Sequence, residues 1–348
     1  MQQQPISADQ WNRLCTLMNG WVFTQTLATA CEVGLFDALD KYPGSTGEVL
    51  AKELSLDAHG TRVLLLACSA LDVVERDGDG YRNSELAARF LVTDAPQSMA
   101  SFAVYNQKIQ QQGSTHFTAA VREGRAAGLD EFPGSGDTLY ARLAERPALE
   151  SLFQEAMGAY TRLSPRMLDV PQLDEVGTLV DVGGGDATNA LRLCGRHPGL
   201  SVSLVDLPSV CGIAEERIAA AGMEQRIDCH PADMFEDPWP KGDAILMSHL
   251  VEIFDEERIM RLYDKAFAQL PPGGKLFIWT LTCDDDEAGG LQAAKSSIYF
   301  LTVASGQGMA YPARQHEHWL REAGFAEVER SDVRHLDHTL LVATRKAP

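Results

Sequence analysis

The stretch GTLVDVGGGDATNA, residues 177–190, decides the fold class of this chain. A short apolar run ends in an acidic residue, three glycines follow, and the residues after them suit a helix. A buried parallel strand turns into a helix in this way around a nucleotide-like ligand, since glycine lets the backbone approach the ligand and the helix N-terminus faces it. The stretch therefore predicts a strand, a ligand-binding loop and a helix.

The residues after this stretch alternate between strand and helix patterns. Five short apolar or β-rich runs are separated by four helical patterns: Leu179–Val182, Val202–Val205, Arg226–Cys229, Ala244–Met247 and Lys275–Trp279. Such alternation predicts an α/β domain, a Rossmann-like, doubly wound sheet, over residues 166–348. Two further runs, Glu327–Val333 and Thr339–Thr344, are close enough to pair as a hairpin, so we expect an antiparallel last strand.

Residues 1–165 are predicted to form a separate, all-helical domain with a winged-helix-like segment. Ser7 is a plausible N-cap of a helix that runs to residue 42 and is interrupted at Gly20. Two helices follow, and the sequence Asp-Gly-Asp-Gly at 77–80 is a strong signal for a hairpin turn. The second of these helices offers only Arg62 as a basic residue. DNA-binding helices carry several, so dimerisation and packing are favoured over DNA binding.

Composition limits the class of partner and the compartment. The net charge is −19 and both halves of the chain are acidic, which argues against nucleic acid and favours a cationic or neutral small ligand. No apolar run is long enough to span a membrane, and the N-terminus does not resemble a signal peptide. The seven cysteines are scattered, without a C-x-x-C pair, which is typical of reduced thiols in the cytoplasm.

The glycine loop does not match the two commonest nucleotide motifs. The dinucleotide fingerprint requires Gly or Ala where this chain has Thr188, and no Gly-Lys-Ser/Thr follows that would make a P-loop. An acid-x-Gly-x-Gly loop remains. Asp206 ends the next strand, where a ribose diol would be held, and Asp233 ends the third run, where it could bind an exocyclic amine. Helix capping or a solvated loop is the alternative role for both acids.

The loop resembles motif I of the class I S-adenosylmethionine-dependent methyltransferases. The whole chain resembles the two-domain small-molecule O-methyltransferases, a family with plant caffeate-type and bacterial antibiotic-pathway members. The resemblance is carried, in order, by LMNG at 17–20, the winged-helix segment, VREG at 121–124, FQEAM at 153–157, DVGGG at 181–185, DLP at 206–208, GDA at 242–244 and AGF at 323–325.

The resemblance implies S-adenosylmethionine as cofactor, a homodimer, and a set of cofactor-binding positions. These positions are Asp181, Gly183 and Gly185 for the methionine moiety, Asp206 and Leu207 for the ribose and adenine, Asp233, Met234 and Phe235 for the adenine edge, and Ser248. Many members have a third glycine where this chain has Ala187, which is small enough that we expect the loop to survive.

The sequence departs from the family at the position of the general base. The family's usual Ser-His-x-x-His-Asp-Trp-Asp is here SHLVEIFD, residues 248–255, so Glu252 replaces the second His. Proton transfer from a phenol to an unperturbed Glu costs about 8 kcal/mol, against about 5 for a His. Burial could raise the pKa of Glu252 enough to compete. Otherwise Glu252 orients the substrate or pairs with a substrate ammonium, and His249 or His116 takes the proton.

Metal chemistry is not favoured by the spacing of these residues. Glu252 and His249 do not match a known ligand motif. His316 and His318 are two residues apart and do not share a helix face, so we interpret them as a solvated helix start. No metal is therefore expected.

The expected acceptor is a small phenol or another activated aromatic compound of secondary metabolism. The residues expected around it are Met157 and Tyr160, Tyr299 and Phe300 on the helix 296–303, and Trp11, because in the family the partner's N-terminal helix closes the pocket. The change to Glu252 removes the usual reason to assume attack by oxygen. C-methylation of a phenolic amino acid, of tyrosine or hydroxykynurenine type, therefore stands near parity with O-methylation. A non-methylating use of the cofactor (hydroxylation or cyclisation) and a winged-helix regulator are the alternatives.

Overall fold

A computed structural model describes residues 7–163 and 170–346. It divides into two compact units, one ending at Gln111 and the other beginning at Gln112. The domain boundary predicted at 165/166 lies outside the described residues, and it stays a prediction.

The first unit contains helices and one two-stranded hairpin. Its elements are α1 (Ala8–Met18), α2 (Trp21–Glu32), α3 (Leu35–Lys41), α4 (Gly47–Glu53), α5 (Ala58–Ala70), β1 (Val74–Asp77), β2 (Gly80–Asn83), α6 (Glu85–Phe90), α7 (Ala100–Tyr105) and a π-helical turn, Asn106–Gln111. Ser7 caps α1 as expected, in a capping box with Gln10. The helix predicted over 7–42 is three helices, because the chain breaks at Gly20 and again at Gly34, which has a φ of +75°.

The winged-helix prediction agrees with the order of elements in this unit. Two helices, α4 and α5, precede the antiparallel hairpin β1–β2, whose turn lies at Gly78 and Asp79. The core of the unit is built by buried apolar side chains that include Leu35, Phe36 and Leu65. By contrast, α1 and the start of α2 expose large apolar side chains: Trp11, Leu14, Leu17, Met18 and Trp21.

The second unit alternates helices with a seven-stranded sheet. Before the sheet come α8 (Gln112–Ser114), α9 (Phe117–Glu123), a 3-10 turn (Ala127–Glu131), α10 (Leu139–Leu143), α11 (Pro147–Arg162) and a 3-10 turn (Pro171–Leu173). The sheet region comprises β3 (Thr178–Val182), α12 (Thr188–Arg196), β4 (Ser201–Asp206), α13 (Pro208–Ala220), β5 (Ile227–Pro231), β6 (Ala244–Ser248), a 3-10 turn (Val251–Ile253), α14 (Glu256–Gln269), β7 (Lys275–Leu281), α15 (Leu291–Tyr299), a π-helical turn (Phe300–Ala304), α16 (Ala313–Glu322), β8 (Glu327–His335) and β9 (His338–Thr344).

The strand order β5-β4-β3-β6-β7-β9-β8 confirms the predicted doubly wound sheet. The first five strands pair in parallel, and β9 pairs antiparallel with both β7 and β8, as expected for the C-terminal hairpin. The chain winds outward from β3 through β4 and β5 and then resumes at β6 on the other side of β3. The carboxyl ends of β3, β4 and β6 therefore meet at the switch point, where sheets of this class bind ligands.

Within residues 7–163 and 170–346, no helix is both long and apolar enough to cross a membrane.

Candidate active site

The loop after β3 adopts the conformation for which its glycines were singled out. Gly183 and Gly185 have φ values of +72° and +58°, and Ala187 follows at +64° directly before α12. A Cβ at Gly184 would lie 2.6 Å from the side chain of Leu204, so this position has no room for a larger residue. Ala187 takes the left-handed conformation despite its methyl group, which is the outcome expected from its size.

Asp181 is a buried carboxylate directly below this loop. It is 1% exposed, and neither of its carboxylate oxygens has a hydrogen-bond partner among the described residues. Burial raises the pKa of Asp181 to about 7, and the nearby charge of Asp206 adds to the effect. An unpaired buried carboxylate is costly, so the site favours a ligand that brings a positive charge or hydrogen-bond donors.

Asp206, at the end of β4, ties the glycine loop to the start of α13. Its carboxylate accepts hydrogen bonds from the backbone N–H of Gly185 at 2.9 Å and of Leu207 at 2.8 Å. Burial raises the pKa of Asp206 to about 6, although these two bonds lower it. A carboxylate oxygen can accept more than one hydrogen bond, so these contacts leave capacity for the predicted ribose contact. The structure thus brings Asp181, Gly183, Gly185, Asp206 and Leu207 to one place.

Asp233, Met234 and Phe235 form a turn after β5. The carboxylate of Asp233 accepts the backbone N–H of Phe235 at 2.8 Å within an exposed turn, which agrees with the solvated-loop role considered as the alternative. Asp233 is also exposed, so its predicted contact with an adenine amine stays a prediction. Phe235 packs edge-on against Phe254, with ring centroids 5.1 Å apart. This packing places Phe235 beside the residue that stands in the family's Trp position.

Ser248 links the end of β6 to the helix that follows the glycine loop. It is buried, and its hydroxyl accepts a hydrogen bond from the side-chain amide of Asn189 at 3.1 Å. Sequence reasoning missed Asn189, although it lies one residue after Thr188 in the first turn of α12.

Helix α11 approaches the glycine loop at residues that sequence reasoning also missed. A Cβ at Gly158 would lie 2.3 Å from a carboxylate oxygen of Asp186, and a Cβ at Gly185 would lie 3.3 Å from the side-chain oxygen of Gln154. Asp186 is buried and forms an ion pair with Arg217 of α13. A glycine inside the strongly helical run 147–162 was the sequence signal for this close approach.

Glu252 lies in the 3-10 turn after β6 and is almost fully buried, at 1% exposure. The hydroxyl of Thr280 donates a 2.6 Å hydrogen bond to Oε2, and Nδ1 of His249 lies 3.8 Å from Oε1. Burial by itself would raise the pKa of Glu252, but His249 and Thr280 outweigh it, and the pKa is lowered. The carboxylate is therefore ionised and engaged by protein groups, and the raised pKa that a base would need is not found.

His249 has a constrained backbone and an imidazole with two different sides. Its φ of +53° is in the left-handed region, and its N–H donates to the carbonyl of Trp279 at 2.8 Å. Nδ1 faces Glu252 and also Nε2 of His338, 3.3 Å away. Nε2 is buried and has no hydrogen-bond partner in the described part of the chain. This arrangement resembles a histidine base supported by a carboxylate.

The aromatic residues predicted to enclose the acceptor divide into two groups. Tyr160 of α11 lies against the histidines, with its ring centroid 5.7 Å from those of His249 and His338, and Met157 is one helical turn away on the same helix. Burial, with Glu252 contributing, raises the pKa of Tyr160 to about 12, so its hydroxyl stays protonated. Tyr299 and Phe300 are buried neighbours with ring centroids 5.6 Å apart, at the junction of α15 and the π-helical turn.

Two other predicted residues, His116 and Trp11, are more exposed. His116 forms a 2.8 Å contact with Glu131 and keeps 35% of its side chain exposed. Trp11 belongs to α1 of the first unit, where it is 53% exposed.

The interpretation of His316 as a solvated residue is wrong, whereas His318 is exposed as expected. His316 is fully buried, its Nδ1 is 2.8 Å from the hydroxyl of Tyr263, and burial lowers its pKa to about 4. Helix α16 turns His316 inward because His316 shares the buried face of the helix with Trp319 and Leu320. The described residues contain no group of three or more side chains arranged to bind a metal ion.

The chain is similar to known proteins over most of its length. The sequence model of the O-methyltransferase domain matches residues 115–326, and that of the O-methyltransferase dimerisation domain matches residues 15–93. A 3-hydroxy-5-methyl-1-naphthoate 3-O-methyltransferase of Streptomyces sahachiroi is 36% identical over 90% of this chain and 89% of its own. An L-tyrosine C(3)-methyltransferase of Streptomyces lavendulae is 32% identical over 86% of this chain and 83% of its own. The crystal structure of human N-acetylserotonin methyltransferase with S-adenosylmethionine superposes with a TM-score of 0.91, at 25% identity, over 99% of this chain and 100% of that one.

Proposed function

The chain belongs to the O-methyltransferase family and is an S-adenosylmethionine-dependent methyltransferase, and we propose that it methylates a phenolic ring whose hydroxyl proton is taken by His249. The observation that carries the proposal is the imidazole of His249: Nε2 is buried without a partner, and Nδ1 faces a buried carboxylate. A histidine in this setting accepts a proton at Nε2, and the carboxylate stabilises the resulting charge.

The residues around the glycine loop fit the cofactor. Asp181 offers two buried carboxylate oxygens without partners, which suits the positive charges of S-adenosylmethionine. Gly183 and Gly185 have no side chain, so the ligand can approach the backbone next to Asp181. Asp206 ends the neighbouring strand and Leu207 follows it, where the ribose and adenine would lie. Asp233, Met234, Phe235 and Ser248 complete the proposed cofactor contacts. The cofactor supplies an electrophilic methyl group, and these residues hold it in place.

Glu252 is assigned the supporting role and His249 the role of base. The pKa of Glu252 is lowered, which widens the gap to a phenol and makes direct proton transfer to the carboxylate less favourable. Its bond with Thr280 also fixes the carboxylate within the protein, so pairing with a substrate ammonium has less support than the sequence suggested. His116, already engaged by Glu131 at 2.8 Å, is the weaker alternative.

Carbon and oxygen methylation share the same first step, which is loss of the phenolic proton to His249. The phenolate would then bond to the methyl carbon through its oxygen or its ortho carbon, while the bond from that carbon to the sulfonium sulfur breaks and S-adenosylhomocysteine leaves. After attack through carbon, the ring proton would pass to solvent and the ring would become aromatic again. C-methylation of a phenolic amino acid of tyrosine or hydroxykynurenine type is supported by the departure at Glu252 and by the similarity to the tyrosine C(3)-methyltransferase. O-methylation is supported by the similarity to the naphthoate 3-O-methyltransferase.

The acceptor pocket is proposed to be shared between two copies of the chain. Tyr160 and Met157 would line it beside His249, with Tyr299 and Phe300 on the opposite wall. The exposed apolar residues of α1 suit a protein interface, and the dimerisation-domain match over 15–93 supports a homodimer. Trp11 of the partner subunit is then a candidate to close the pocket.

The test is a product analysis with S-adenosylmethionine and three acceptors: L-tyrosine, 3-hydroxykynurenine and a hydroxynaphthoate. We expect S-adenosylhomocysteine and a methylated ring, and the carbon NMR spectrum separates a methoxy product from an aryl-methyl product. His249→Gln should lower kcat by about 100-fold or more, within the range of general-base catalysis, while His116→Gln leaves it unchanged. Full activity of His249→Gln would contradict the assignment of the base.

A further inference from the structure

His338 is a buried histidine to which the proposed reaction assigns no role. It begins β9, is 0% exposed, and stacks on Trp279 with ring centroids 5.2 Å apart and an interplanar angle of 14°. Its Nε2 lies 3.3 Å from Nδ1 of His249. Resting on the proposed role of His249 as base, we infer that His338 is a positioning residue that holds His249 in the tautomer with the basic nitrogen at Nε2.

The protons of the His249–His338 pair are assigned from the carbonyl oxygen of Leu336, which can only accept a hydrogen bond. Nδ1 of His338 lies 2.9 Å from the carbonyl oxygen of Leu336, so Nδ1 carries the proton and donates it. In a neutral imidazole the other nitrogen is then an acceptor, and Nε2 of His338 faces Nδ1 of His249. Nδ1 of His249 therefore carries its proton, and Nε2 of His249 keeps the lone pair.

The charged and titratable neighbours of His249 support the same assignment. Glu252, from the 3-10 turn, lies 3.8 Å from Nδ1 and can only accept while ionised. Tyr160, from α11, packs against the imidazole in a T-shaped arrangement. Both polar neighbours of Nδ1 are acceptors, so the opposite tautomer would leave Nδ1 facing two lone pairs without a proton. When the phenolic O–H breaks and an N–H forms at Nε2, the positive charge lies next to Glu252.

The hairpin turn between β8 and β9 holds His338 in place. Leu336 and Asp337 both have positive φ values, +49° and +63°, which form a tight turn and bring the Leu336 carbonyl back onto His338. The Asp337 carboxylate accepts the backbone N–H of Gln292 at 2.9 Å and of Ala293 at 3.3 Å, so it anchors the turn to the start of α15. A turn at the end of the chain thus sets the protonation pattern of the proposed base.

The inference is tested on the wild-type protein by the nitrogen chemical shifts of the His249 ring, assigned in a ¹⁵N-histidine-labelled sample by comparison with His249→Gln. We expect a protonated Nδ1 and an unprotonated Nε2 at neutral pH. A proton on Nε2 overturns the inference, whatever the activity. The experiment needs neither the acceptor nor turnover.

Two variants at His338 separate the hydrogen bond from the packing. His338→Phe keeps a ring against Trp279 but removes the acceptor, and we expect mixed His249 tautomers. We also expect kcat to fall about 10- to 100-fold, the range found when partners that orient metal-bound histidines are removed. KM for S-adenosylmethionine should not change. His338→Gln offers a side-chain carbonyl as acceptor and should recover most of the loss.

The outcomes distinguish this inference from the proposed function. An unchanged His249 tautomer in a folded His338→Phe protein refutes the positioning role. A changed tautomer with unchanged kcat supports the positioning role but refutes His249 as the base.

Discussion

Asp181→Asn is predicted to stabilise the cofactor-free protein at neutral and alkaline pH, although the residue is proposed to bind the cofactor. Both carboxylate oxygens of Asp181 are buried without a hydrogen-bond partner in the described part of the chain. Burial and the neighbouring Asp206 raise its pKa from 3.8 to about 7. The folded state therefore holds a proton that the unfolded chain has already released.

The size of the effect follows from the linkage between protonation and folding. The shift is about three pKa units, and each unit corresponds to about 1.4 kcal/mol, so the wild-type protein loses about 4 kcal/mol of unfolding free energy between pH 4 and pH 8 from this group. Because the pKa of Asp181 is raised in the folded state, the contribution of its protonated carboxyl to stability is fully present below pH 3.8. This contribution is lost as the pH rises through about 7. The advantage of Asn is therefore about 4 kcal/mol at pH 8 and less than about 1 kcal/mol at pH 4.

The assay is urea denaturation of the cofactor-free wild type and variant at pH 4, 6 and 8. Asp243→Asn is the matched control, because Asp243 accepts the backbone N–H groups of Gly177 and Thr178 and should lose stability instead. Isothermal titration with S-adenosylmethionine should show weaker binding by Asp181→Asn. A variant less stable than wild type at pH 8, or a difference that does not depend on pH, would refute the reasoning.

Three further predictions concern packing, acid stability and the C-terminal turn. Gly158→Ala should lose about 1–3 kcal/mol of stability and bind S-adenosylmethionine more weakly, because the new Cβ would lie 2.3 Å from Asp186; the control Gly212→Ala, in an open part of α13, should gain up to about 1 kcal/mol. Burial lowers the pKa of His316 from 6.5 to about 4. As the pH decreases, the unfolded chain therefore takes up the proton before the folded protein does, and the free energy of unfolding decreases between pH 6.5 and pH 4. The stability difference between wild type and His316→Gln should shrink by about 3 kcal/mol from pH 7 to pH 4 in urea titrations, and a constant difference would contradict the shift. Asp337→Ala removes the acceptor for two N–H groups at the start of α15 and should cost about 1 kcal/mol, whereas Asp337→Asn should lose less; equal losses in thermal unfolding would argue against the cap.

The strand and loop pattern of the second unit was predictable from local sequence. Each of the seven strand runs matches an observed strand within a few residues. Buried parallel strands such as β3 and β6 are nearly continuous apolar segments, which makes them recognisable in the sequence. The glycine loop was also predictable from local sequence, since glycine permits the positive φ values found at Gly183 and Gly185. The helix predicted over 7–42 was wrong in its continuity, because the pattern did not show that Gly34 ends a helix.

The protonation pattern at the proposed base could not be predicted in this way. The sequence showed that Glu252 replaces a histidine, but its pKa depends on Thr280, 28 residues away, and on the orientation of His249. His338 lies 89 residues from its partner His249 and is in no sequence motif. Buried His316 was misread for a similar reason: the side of a short helix that faces the sheet is set by packing.

The sequence by itself therefore determined the doubly wound fold, the conformation of the glycine loop and the membership of a methyltransferase family. Each of these depends on contiguous residues whose backbone preferences are local. Only the tertiary structure decided that the ionised carboxylate of Glu252 lies next to His249 and that His338 contacts Nδ1 of the same imidazole. Burial and hydrogen bonding between distant segments set the charge of a side chain, and these arise only when the strands β6, β7 and β9 lie side by side.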